Sequence, residues 1–129
     1  MANTNPTELD FATVFKDTSG IIIITMKDYR KLDQYDVINI NLAIRHKADG
    51  KRALKLLDAR ASWSMDKKAK EQAKLEHSVS VTKARAIVVS NSITVAFMKF
   101  LDSFSKNDYP QKIFSDYDKA YKWLMTFAE

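Results

Sequence analysis

The last third of the chain limits the fold most. Residues 84–89 are apolar except for one arginine, and the polar turn Ser90, Asn91, Ser92 follows them. Next, Ile93, Ala96, Phe97, Phe100, Leu101 and Phe104 lie three or four positions apart, the spacing of one wide helical face. Pro110 has no N–H to give a ladder, so it marks the entry to a short strand at 112–114. Residues 115–118 read as a capping box with Asp in place of Glu. The helix they open turns Tyr117, Ala120, Tyr121, Leu124 and Phe127 inward. Strand, helix, strand, helix predicts an open α/β sheet with parallel pairing and right-handed crossovers.

The earlier residues extend that pattern. Residues 1–8 read as a loose N-terminal arm, and 10–15 as a mixed apolar segment. The polar run 16–20 ends in Gly20 and fits a hairpin turn. Residues 21–25 are β-branched throughout, which suits a strand covered on both faces. Leu32, Tyr35, Ile38, Leu42 and Arg45 then recur at helical spacing, with Ile40 and Ile44 as a second stripe. Gly50 follows Asp49 and suits the left-handed conformation that ends a helix. Residues 52–57 form the next strand and stop at Asp58. A loop over 58–64 leads to a helix at about 65–78, with Ser62 or Ser64 as its cap. The order ββαβαβαβα predicts one domain over residues 1–129. It has a mixed, mostly parallel sheet of about five strands with about four helices.

Composition narrows the chemistry. There is no cysteine, which removes disulfides, thiolate catalysis and cysteine-held metals. The only glycines are Gly20 and Gly50, too few for a glycine-rich phosphate loop. His46 and His77 have no companions at metal-ligand spacing. No catalytic residue, metal or cofactor is therefore assigned, and the expectation is a non-enzymatic protein. No apolar run is longer than 21–24, far too short to span a bilayer, and residues 1–6 lack a signal peptide's basic and apolar regions. A cytoplasmic protein without membrane insertion is expected. The net charge of +5 is uneven: 45–85 hold 12 basic and 5 acidic residues. That basic segment favours anionic partners.

Three stretches carry a family resemblance: Leu56-Leu57-Asp58-Ala59-Arg60, then Lys83-Ala84-Arg85-Ala86-Ile87-Val88-Val89, then Pro110-Gln111-Lys112-Ile113-Phe114 with Ala120 and Trp123-Leu124. Over residues 20–127 the chain resembles the STAS fold of sulfate transporters and anti-sigma-factor antagonists. It is most similar to uncharacterised bacterial STAS-like (SpoIIAA-like) domains. The resemblance implies a small regulatory or binding domain without enzymatic activity. It also implies a phosphorylatable serine just after the strand that ends in Asp, but Arg60 stands there, and the small residues and glycine of that motif are missing.

In open α/β sheets, ligands bind beyond the carboxyl ends of the strands. Two loops qualify, one with Asp58, Arg60, Ser62, Trp63 and Ser64, the other with Ser90, Asn91 and Ser92. They are the candidate partner- or anion-binding residues, with Trp63 as an interface anchor, set against plain helix capping and packing. Phe97, Phe100 and Phe104 are candidates for an apolar pocket or a dimer face, set against core packing. The expected role is a cytoplasmic regulatory protein–protein interaction module with a protein partner, with a homodimer as an option. The alternatives are a small-molecule or lipid-binding module and, more weakly, nucleic-acid binding through 45–85, where Lys67, Lys68, Lys70 and Lys74 lie.

Overall fold

The computed structural model describes residues 5–29, 31–79, 82–90 and 109–128. The expected apolar helix, with Phe97, Phe100 and Phe104, and also Asn91 and Ser92, lies outside the described residues.

Six strands form one sheet in sequence order: β1 (Thr7–Glu8), β2 (Ala12–Lys16), β3 (Ile22–Met26), β4 (Ala53–Asp58), β5 (Thr82–Val88) and β6 (Gln111–Phe114). The β1–β2 and β2–β3 pairs are antiparallel, and the remaining pairs are parallel. The described helices are α1 (Gln34–Ala48), α2 (Lys67–Val79) and α3 (Tyr117–Met125). Helix α3 packs on β4, β5 and β6, whereas α1 packs on β2 and β3 and against α2.

Side-chain alternation builds a core on each face of the sheet. Ile22 and Ile24 of β3 join Phe11, Val14 and Leu32 on the α1 side. Leu54, Leu56, Ala84, Ala86 and Val88 meet Ala120 and Leu124 of α3 on the other. The α3 face uses the expected inward set, with Tyr117, Tyr121, Trp123 and Phe127 packed around its two buried residues. The hairpin turn at 16–20 is also present, held by Asp17, whose side chain accepts from the backbone N–H groups of Ser19 and Ile21 at 2.9 Å each.

Several sequence expectations need correction. Thr7 and Glu8, placed in the loose arm, pair with β2, and the Glu8 carboxylate holds Lys27 Nζ at 2.7 Å. Helix α1 turns a different stripe to the sheet. Val37 is buried, and Ile40, Ala43 and Ile44 pack on the core, while Tyr35 is 64% and Leu42 56% exposed. The helix is apolar around most of its circumference, so periodicity alone does not set its rotation. The capping box sits here, not at 115–118: Asp33 Oδ1 accepts from Asp36 N at 2.9 Å, and Asp36 Oδ2 from Asp33 N at 3.0 Å. At α3, Asp116 caps Lys119 N alone, because the third helical residue is a lysine. Asp49 shares the left-handed turn with Gly50, at φ 53° and 75°. Asp66, rather than Ser62 or Ser64, caps α2 by accepting from Ala69 N at 2.8 Å.

Candidate functional site at the carboxyl ends of the parallel strands

Strand β4 delivers Asp58 to the α3 side of the sheet, beside Thr25 of β3 and Val88 of β5. Asp58 is buried, at 7% exposure, so its charge needs a partner. Two residues on, Arg60 supplies it: Nε donates to Oδ1 at 2.8 Å and Nη2 to Oδ2 at 2.7 Å. The Arg60 backbone N–H also donates to Oδ1 at 3.3 Å. A two-pronged guanidinium–carboxylate pair is among the stronger and more directional polar contacts. These hydrogen bonds raise the Arg60 pKa above the ordinary arginine value. The guanidinium carbon sits 5.7 Å from the centre of the Tyr117 ring, at the first turn of α3, a cation–π distance. Burial, then the Asp58 carboxylate, keeps the Tyr117 hydroxyl protonated above its usual range. The Arg60 side chain remains 47% exposed, so a fixed cationic head faces solvent.

The rest of the 58–64 loop is tied down through its backbone. Ser62 N donates to Asp28 Oδ1 at 2.8 Å, and Ser62 O accepts from Tyr29 N at 2.9 Å. Ser64 O accepts from Leu32 N at 2.8 Å, and Leu32 bridges Met65 in parallel. Both serine residues are exposed. Trp63 is half-buried on its own domain. It packs on the α1-side core and on Ala59, Ile87 and Val89, with Nε1 donating to Ala59 O at 3.2 Å. Ser90 is half-buried just past β5. Asp58, Arg60, Ser62, Trp63 and Ser64 are thus brought into one loop tied to the domain by hydrogen bonds.

A match over residues 15–128 to the family described as Domain of unknown function (DUF7793) covers most of the chain. The chain belongs to the DUF7793 family. No curated protein matches it. Among solved structures, it is similar to an uncharacterised DUF3478-family protein with a SpoIIAA-like fold from Shewanella loihica PV-4. That pair has 17% identity and a TM-score of 0.68, with 92% of this chain and 97% of the other covered. The DUF7793 chain therefore has the SpoIIAA-like fold that the sequence resemblance implied.

Within that fold the DUF7793 chain differs where the resemblance places a phosphorylatable serine. Arg60 lies in a loop closed back on Asp58, and α2 starts only at Lys67. Among the described residues, no group of three or more His, Cys, Asp or Glu could hold a metal ion. No described helix is long and apolar enough to cross a membrane. Lys67, Lys68, Lys70 and Lys74 are exposed on α2.

Sequence reasoning missed two partners of the loop, Asp28 and Tyr117. Both contacts join positions remote in sequence, and no local spacing announces them. It also passed over Lys55 and Arg85, which sit on the opposite face of the sheet from Asp58. Their signal was visible, since each is a cation flanked on both sides by apolar residues within its strand.

Proposed function

We propose that this chain is a non-enzymatic regulatory module that binds a protein partner through the 58–64 loop and the first turn of α3. The observation that carries the reading is the double hydrogen bond from half-exposed Arg60 to buried Asp58. A free surface arginine loses rotamer freedom on binding, and Arg60 has already lost it, so a contact with it costs less entropy. Arginine is also over-represented among residues that dominate interfaces. The SpoIIAA-like fold supports the reading at the level of architecture alone. A charge fixed in this way serves as a constant recognition element where a serine would serve as a switch.

The test is affinity capture with the tagged chain from cells that make it, quantified by mass spectrometry. The expected result is a reproducible protein partner whose affinity falls about tenfold or more with Arg60→Ala and is retained with Tyr35→Ser on exposed α1. Melting curves of both variants check that the fold persists. A partner set unchanged by Arg60→Ala contradicts the reading.

A further inference from the structure

Lys55 lies mid-strand in β4, on the α1 side of the sheet, and the residue is only 7% exposed. Its neighbours in that sheet row are Ile22 of β3 and Arg85 of β5. Arg85 in turn opposes Gln111 of β6 and donates to its Oε1, with Nε at 2.8 Å. The Arg45 guanidinium of α1 also acts on Lys55 by charge repulsion. Among the described residues, no hydrogen bond or ion pair reaches the Lys55 ammonium. Arg45 is itself paired with Glu76, whose carboxylate accepts from Arg45 Nη2 at 3.0 Å and from Gln72 Nε2 at 3.0 Å.

The sheet register adds a second observation. Ala53 pairs with Thr82 and Leu54 with Ala84, so β5 carries one extra residue at Lys83. Without it Lys55 would face Ala84. With it, Lys55 faces Arg85. Bulges are uncommon between parallel strands and often re-aim a side chain beside a functional site. The irregularity thus sets two cations side by side inside an apolar layer, a placement that an aliphatic residue would avoid at no cost.

We infer that Lys55 and Arg85, with Arg45 at the rim, form a binding site for the oxyanion group, phosphate or carboxylate, of a small ligand. Guanidinium groups match the geometry of both anions, whose oxygens would displace Gln111 Oε1 from Arg85 Nε and Nη2, and the ammonium adds a point charge. Arg85 is half-buried and the Arg45 side chain 53% exposed, so the cluster stays in contact with solvent. The inference goes beyond the partner-binding reading and does not rest on it, because the two sites lie on opposite faces of the sheet.

The test uses inorganic phosphate and succinate as probes, with sodium chloride at matched ionic strength as the control. Thermal unfolding of the whole chain is followed as each anion is titrated. At a hundredfold excess over Kd, a saturable rise in Tm of roughly 5 °C or more is expected with at least one anion. In Lys55→Met only the small, non-saturating rise that such salts give any protein remains. On the unsubstituted chain, carbon-13 NMR of the lysine side chains follows the Lys55 titration, and the effective anion moves its midpoint upward. The NMR arm holds even if the variant fails to fold. Phosphate or succinate acting alone names the ligand class. Equal Tm responses in both chains, with a Lys55 midpoint that neither anion moves, overturn the inference.

Discussion

Lys55 is the residue whose burial has the clearest energetic consequence. Burial, then repulsion from Arg85 and Arg45, lowers its pKa from 10.5 to about 8. Between those values the unfolded chain holds a proton that the folded chain has released. Stability therefore rises with pH from about 8 towards 10.5 and is independent of this group below about 8. The whole span corresponds to roughly 3 kcal/mol as an upper bound. The charges that act on Lys55 are those of Arg85 and Arg45, and Arg45 is itself paired with Glu76. Tyr121, raised by its hydrogen bond to Asp17, and Tyr117, raised by burial, remain protonated in the fold, and both withdraw stability above pH 10. Denaturant melts at pH 7, 8, 9 and 10 are expected to show the rise in the unsubstituted chain and its loss in Lys55→Met. At pH 7 that variant is expected to be more stable by about 1–3 kcal/mol, since an apolar residue replaces a buried charge. A destabilised variant with an unchanged pH profile would contradict this.

At the scale of elements, the helix ends show most clearly what the sequence made legible. Apart from β1, which was read as a loose arm, the described strands and helices followed from periodicity and fell within a few residues of their observed places. Caps did not follow, because Ser62, Ser64 and Asp66 are all competent cap residues. The choice depended on the Leu32–Met65 bridge, which holds Ser64 extended and leaves Asp66 at the helix start. The rotation of α1 escaped for a related reason, since two apolar stripes compete and the α1-side core takes the one through Ile40, Ala43 and Ile44. Asp33→Ala and Asp116→Ala each remove a cap and are expected to cost about 1 kcal/mol. Leu124→Ala, at a site with no exposure, is expected to cost about 2–5 kcal/mol. Urea unfolding of the three variants measures the contrast. Comparable losses would mean that α3 packs less closely than its burial indicates.

For the whole molecule, the sequential strand order places a core on each face of a single sheet. Leu57 and Trp63 each pack against both the α1-side core and the Ala59–Ile87–Val89 cluster, while Trp123 packs on the α3 side. The two tryptophans therefore report opposite faces. Single-tryptophan chains carrying Trp63→Phe or Trp123→Phe are expected to give fluorescence midpoints that coincide with their circular-dichroism midpoints, the mark of one cooperative unit. Separated transitions would divide the domain. The fold class and the mixed, mostly parallel pairing were readable because βα alternation leaves few topologies open. The Arg60–Tyr117 and Ser62–Asp28 contacts were not, because they arise only once α3 and the residues just after β3 meet the end of β4. The partner-binding role of that end is tested most directly by hydrogen–deuterium exchange on the full chain, free and with the captured partner. Slowed exchange at 59–64 and 116–119 is the expected result. Protection confined to the α1–α2 face, with 59–64 unchanged, would contradict it.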